Sequence, residues 1–204
     1  MILIIGIDGL LGNYLFKELK SFYDVIGTSR KLFGKNICHY DILNPISNLQ
    51  IEWARVEVVI LAAANSNVGY CEIEPNLSNK VNFISPVNII KELKKKNIPV
   101  IAFSSEYVFN GKKGNYSEQS QKSPNTKYGL QKSKLEDFLI DFYEKTTIFR
   151  ISKIASLSHK KSFFYKMLNE MKTNEIYSAA IDQFFTPINI QDCGTIILKT
   201  IKAE

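Results

Sequence analysis

The first residues restrict the fold more than any other stretch of the chain. Met1-Ile-Leu-Ile-Ile5 is a continuous apolar run that feeds directly into Gly6-Ile7-Asp8-Gly9-Leu10-Leu11-Gly12. Tyr14-Leu15-Phe16-Lys17-Glu18-Leu19-Lys20 comes next with amphipathic, helical spacing. A short, wholly apolar, β-branched run reads as a strand buried on both faces, as in parallel sheets covered by helices. A strand, glycines at intervals of three and then a helix together aim the backbone N–H groups of a helix N-terminus at a pyrophosphate. On this reading Gly6, Asp8, Gly9, Leu10, Leu11 and Gly12 touch a dinucleotide. A tight turn without a ligand would also use glycines, so the motif counts only in combination with chemistry elsewhere in the chain.

Further apolar runs of strand length occupy residues 24–27, 56–63, 99–104 and 147–151. Helical patterns separate them, notably residues 85–95 and 133–143. This alternation predicts an α/β fold, a doubly wound parallel sheet of Rossmann type. Residues 1–155 form the expected dinucleotide-binding domain. Residues 156–204 are less regular and form an expected small substrate-capping region packed on it. Residues 112–126 are polar, contain Gly114 and Pro124, and read as a surface loop.

Composition excludes several function classes. At 204 residues the chain suits one domain, and 45% hydrophobic with 23% charged residues is ordinary for a soluble protein. No apolar stretch approaches the roughly 20 residues that span a bilayer. The N-terminus reads as a strand and not as a leader, so a cytoplasmic protein without a membrane partner is expected. Cys38, Cys71 and Cys193 lie far apart and only His39 and His159 accompany them, which supports neither disulfides nor a metal site. The net charge of +6 comes largely from Lys94-Lys95-Lys96, Lys112-Lys113 and Lys160-Lys161. No reader motif goes with it, so no nucleic-acid partner is expected.

Ligands of open α/β sheets sit at the carboxyl ends of the strands. The residues just past the predicted strands are the ones that carry chemistry. Gly27-Thr28-Ser29-Arg30 stands where NAD-preferring sites place an acid for the ribose 2′-hydroxyl. Ser29 and the permanently charged Arg30 suit a 2′-phosphate, so NADP(H) is expected, with NAD(H) as the alternative. Arg30 as a simple surface residue is the other reading. Tyr128 and Lys132 are four residues apart on a predicted helix, hence on one face. A nearby ammonium would lower the tyrosine pKa and tune the phenol for proton transfer to a carbonyl. Ser105, just past a strand at the same sheet edge, could hydrogen-bond that carbonyl. An end-of-strand turn for Ser105 and a solvated loop carboxylate for Glu106 are the plainer alternatives.

The chain resembles the extended short-chain dehydrogenases/reductases, and within them the dTDP-4-dehydrorhamnose reductase branch. Gly6, Gly9 and Gly12 match the glycine pattern, Asp41-Ile42 the pair bordering the adenine, and Ala62-Ala63-Ala64 the strand end beside the cofactor. Glu74-Pro75 with Val81-Asn82, Ser104 to Gly111, Tyr116-Ser117-Glu118, Tyr128 to Glu136, and Asp182-Gln183 with Thr186-Pro187 match further family stretches. The resemblance implies a catalytic set of Ser105, Tyr128 and Lys132, with Glu106 beside it. It implies that Tyr128 protonates the carbonyl oxygen and that Lys132 holds the nicotinamide ribose. Ser104, Val108, Phe109 and Gln183 are then expected on the substrate side. A nucleotide-linked sugar as substrate and a homodimer are implied in the same way. Dehydratases of the family carry an Asp-Glu pair where this chain has Glu106-Tyr107, and epimerases carry small residues, so simple carbonyl reduction is favoured. A cofactor-binding regulatory subunit or an epimerase are the alternatives. The chain stops soon after Asp192-Cys193-Gly194, short of the family's usual length, so the expected pocket is small, incomplete or finished by another subunit. Residues 65–69 also replace the family's usual aromatic-containing loop.

Overall fold

The computed structural model describes residues 1–173, 178, 180–182 and 184–203. β1 (Ile2–Ile5) turns through residues 6–9 into α1 (Leu10–Leu19). β2 (Val25–Ser29), β3 (Ile37–His39) and β4 (Val58–Leu61) come after it. α2 (Val68–Ile73), α3 (Pro75–Asn79) and α4 (Ser85–Lys95) are next, with a turn of π-helix, Lys80–Ile84, joining α3 to α4. β5 (Val100–Ser105), α5 (Lys127–Phe142) and β6 (Thr146–Ile151) complete the main sheet. The remainder forms β7 (Ile154–Ala155), α6 (Phe163–Thr173), β8 (Ile188–Asn189) and α7 (Ile190–Ala203).

The six strands are all parallel, in the order β3-β2-β1-β4-β5-β6. This is the Rossmann-like arrangement the sequence predicts. The chain starts in the middle of the sheet, winds to one edge, and returns to the other side of β1. That reversal opens a crevice at the carboxyl ends of β1 and β4.

Strand alternation divides the apolar residues between two cores. Ile2, Ile4, Val58, Ile60 and Ile101 pack with Leu11, Leu15, Phe16 and Leu19 of α1. Leu3, Ile5, Val59, Leu61 and Val100 pack on the other face with Ile89, Ile90 and Leu93 of α4 and Leu135 and Leu139 of α5. Each fully buried Leu or Ile contributes about 1.5–3 kcal/mol, so these strands can be apolar throughout. Cys193 and Ile197 of α7 join the first core. Gly194 allows that approach, since a Cβ there would lie 2.6 Å from a ring carbon of Tyr14. The C-terminal stretch therefore supplies a layer of the main core as well as the short β7–β8 ladder. Among the described residues no helix is long and apolar enough to cross a membrane.

The structure adds to the sequence pattern at several points, including the helices α6 and α7 in the region read as less regular. β3 is a three-residue edge strand without a fully buried residue, too short to leave a periodic signal. α2 and α3 occupy residues that the pattern leaves unassigned. α5 begins at Lys127, ahead of the apolar pattern at residues 133–143 and in keeping with the helix expected at Tyr128 and Lys132, because Thr126 caps it by accepting a 3.0 Å hydrogen bond from the Gly129 N–H.

Candidate active site

The glycine loop has the tight geometry its composition demands. Gly6 has φ 99°, and a Cβ there would stand 2.6 Å from Ala63 Cα. At Gly12 a Cβ would stand 2.3 Å from the Gly6 carbonyl oxygen, so α1 can approach β1 only with glycine there. Gly9 is different: the nearest atom to a Cβ is 3.6 Å away. No side chain caps α1 at Gly9. The first-turn N–H groups of α1 therefore lack a protein cap at a point where the backbone leaves room, and a pyrophosphate fits both facts.

A cavity of about 560 Å³ opens from this loop. Gly6, Asp8, Gly9, Ser29, Arg30 and Ile42 line it on one side, and Ala62, Ala63 and Ala64 on the other. Most of the residues expected to touch the cofactor are thus brought together. A second cavity, of about 650 Å³, lies at the opposite end of the strands around Met1 and Trp53, away from the glycine loop. At the end of β2 the polar groups are engaged with one another. Ser29 donates to Asp8 Oδ1 at 2.6 Å, and its oxygen accepts from the Lys31 and Leu32 N–H groups. The Arg30 N–H donates to Asp8 Oδ2 at 3.0 Å. The Arg30 guanidinium is exposed and lies 3.7 Å from Asp41, which also accepts from the Leu43 N–H.

The three residues expected to be catalytic converge beyond β5. Ser105 ends that strand and hydrogen-bonds Tyr128, the second residue of α5. Gly129 makes the meeting feasible, because a Cβ there would fall 2.0 Å from the Tyr107 carbonyl oxygen. The Tyr107 ring packs edge-on against Tyr128 with centroids 5.8 Å apart. Lys132 lies one turn further along α5, is 5% exposed, and donates to the Phe103 carbonyl at 3.0 Å.

The electrostatics correct one expectation. Burial pushes the Tyr128 phenol up to about 12, against the opposing hydrogen bond from Ser105. Lys132 does not counter this, since its ammonium is turned to Phe103 and burial pulls it down to about 8, opposed by Glu136. Desolvation disfavours the charged form of both groups and is the largest cause of each shift.

The other candidates are sorted by the same geometry. Glu106 accepts a hydrogen bond from Ser152, just past β6. Ser104 faces the α5 side of the sheet, buried beside Glu136 and opposite Arg150, and not the cavity. Val108 and Phe109 are buried as well. Phe109 stacks on Tyr116 at 4.2 Å, with the Arg150 guanidinium 5.2 Å from its ring. These three are packed and, like Ser105, Tyr128 and Lys132, are not part of the cavity lining, because their motif carries residue type but not side-chain direction. Gln183 lies outside the described residues.

A polar chain that the motifs only half indicate stiffens the site. Asn82 accepts from the Asn65 N–H at 2.8 Å and donates to the Asn65 carbonyl at 2.9 Å and to Gln131 at 2.8 Å. Gln131 in turn donates to Ser78 at 2.8 Å. Asn82 is visible in the Val81-Asn82 match, whereas Gln131 leaves no signal between Tyr128 and Lys132. Thr28 and Tyr70 also line the cavity; Thr28 falls within the Gly27–Arg30 stretch, whereas no motif marks Tyr70. Thr28 accepts from the Gly6 N–H at 3.1 Å.

Residues 1–204 match the family described as the RmlD substrate binding domain. The chain belongs to that family. With the fold, this classes it among the NAD(P)-dependent oxidoreductases. It is 25% identical to the probable low-salt glycan biosynthesis reductase Agl14 of Haloferax volcanii, over 97% of this chain and 69% of that protein. It is 27% identical to a dTDP-4-dehydrorhamnose reductase of Aggregatibacter actinomycetemcomitans, over 97% of this chain and 66% of the relative. A dTDP-4-dehydrorhamnose reductase of Bacillus anthracis, solved in complex with NADP, superposes with a TM-score of 0.85 at 26% identity, over 98% of this chain and 70% of the other. The chain thus spans about two thirds of the length of these relatives.

Proposed function

We propose that the chain reduces a keto group on a nucleotide-linked sugar with hydride from a nicotinamide dinucleotide. The observation that carries this reading is the Ser105–Tyr128–Lys132 group gathered at the strand ends. When bound, the dinucleotide supplies the hydride. Tyr128 keeps its proton at neutral pH because burial pushes it up to about 12, so it is a donor to the carbonyl oxygen and not a standing phenolate. Ser105 orients the carbonyl through the same hydroxyl that meets Tyr128. Lys132 serves the nicotinamide ribose. Glu106, braced by Ser152, supplies a single carboxylate near the substrate, in keeping with reduction and not removal of water. The expectation of NADP(H) rests on Arg30, which shares its end of the cavity with two carboxylates, Asp8 and Asp41.

The test is consumption of NADPH or NADH with a panel of 4-keto sugar nucleotides. Turnover on at least one is expected. Tyr128→Phe should lower it by about 10²–10⁴, with dinucleotide affinity within about threefold of the parent. Binding without turnover on any substrate, with Tyr128→Phe making no difference, would leave a cofactor-binding subunit and refute the reductase.

A further inference from the structure

The residue after β2 that usually carries the ribose-binding acid is Arg30 in this chain, yet a carboxylate reaches the same place from the glycine loop. Asp8 Oδ1 accepts from Ser29 Oγ at 2.6 Å and Oδ2 accepts from the Arg30 N–H at 3.0 Å, so its head is fixed at the end of β2. We propose that Asp8 reads the adenosine ribose, accepting its 2′-hydroxyl and turning away a 2′-phosphate, so that the chain works with NAD(H). This rests on the dinucleotide-dependent function proposed for the chain and departs from the expectation based on Arg30 alone.

Three observations support it. A carboxylate has roughly four acceptor positions, and the two bonds to Ser29 and Arg30 leave room for a ribose hydroxyl. The groups suited to hold a phosphate are engaged elsewhere. The Ser29 hydroxyl donates to Asp8 and accepts two backbone N–H groups, and Thr28 Oγ1 accepts from the Gly6 N–H. The Arg30 guanidinium lies 3.7 Å from Asp41, and the Lys161 ammonium is bonded to the Asp8 carbonyl oxygen. A phosphate dianion would thus meet two carboxylates, with the nearby arginine facing one of them. Like charges brought together in a partly enclosed site are strongly unfavourable.

Binding of NADH and NADPH to the whole chain, monitored by nicotinamide fluorescence, reads the preference directly. NADH should bind at least about tenfold more tightly, given the cost of juxtaposed like charges. Asp8→Asn should bring NADPH to within about threefold of NADH, mainly by tightening NADPH, as expected when one repelling charge is removed. Competition by AMP against adenosine 2′,5′-bisphosphate on the unmodified chain gives the same answer without a variant, with AMP expected to compete better. NADPH binding as tightly as NADH or more so, or the bisphosphate outcompeting AMP, would overturn the role of Asp8 while leaving the reductase intact. Binding of neither dinucleotide would overturn both.

Discussion

Replacing Lys132 with methionine should stabilise this protein at neutral pH while removing its activity. Lys132 is 5% exposed, and burial draws its pKa from the ordinary 10.5 to about 8. Each tenfold change in proton affinity corresponds to about 1.4 kcal/mol, so holding the charged form buried costs about 3 kcal/mol at pH 7. Methionine fills a similar volume without that cost. It also leaves the Phe103 carbonyl without its donor, which returns about 1–2 kcal/mol. The net gain is about 1–2 kcal/mol, or a few degrees in Tm at about 2–4 °C per kcal/mol for a chain of this size. The direction of the shift gives the pH dependence its sign. Between about pH 8 and 10.5 the unfolded chain binds a proton at Lys132 that the folded chain has released. Parent stability therefore gains with pH through that window from this group, and the variant gains nothing from it. The advantage of Lys132→Met should shrink and then reverse as pH rises, a difference in which the exposed lysines cancel. Urea unfolding of both proteins at pH 7, 8.5 and 10 measures it. A variant less stable than the parent at pH 7, with a pH-independent difference, would refute the reasoning.

Two further substitutions probe the cradle and the core. Gly9→Ala should leave folding stability within about 1 kcal/mol, since its φ of −77° is open to alanine, the N-cap preference for glycine is modest, and nothing lies closer than 3.6 Å. Titration with reduced dinucleotide should nonetheless show at least about tenfold weaker binding, because the methyl fills the place of a phosphate. Glu136→Gln should cost about 3 kcal/mol by denaturation at pH 7, because Arg150 would lose a buried partner held at 2.8 and 3.0 Å. Burial pushes the Glu136 carboxyl up, but its bonds to Arg150 and the charge of Lys122 outweigh that and hold it below the ordinary 4.5. The parent should therefore lose this contribution as pH falls through the acid range, and the difference between the two proteins should narrow there.

The local parts of this structure are legible in the sequence. Ile2–Ile5 and the glycines after it announce themselves within a dozen residues, and residues 85–95 are the helix their pattern predicts. Ser105, Tyr128 and Lys132 are marked by spacing and resemblance, and the fold brings them together. Direction and environment are less legible. Ser104 and Phe109 belong to the same motif as Ser105, but strand alternation and the Arg150 cluster turn them into packing. The Tyr128 phenol goes up and not down because burial, set by elements distant in sequence, outweighs the Ser105 hydrogen bond, while the lysine four residues away is turned to Phe103. The Asn82–Gln131 bond spans 49 positions, and no window of sequence contains both ends.

That bond sets the alignment tolerance of the site. Asn82 grips both backbone groups of Asn65, next to the alanines that line the cofactor cavity, and its amide is tied to the helix turn carrying Tyr128 and Lys132. The wall against which a nicotinamide would lie and the hydroxyl that would meet the carbonyl thus share one rigid strut across the gap between β4 and α5. Hydride and proton transfer require two distances to be right at the same moment. With this strut, thermal motion moves both anchor points together, so the separation between them varies less than the position of either.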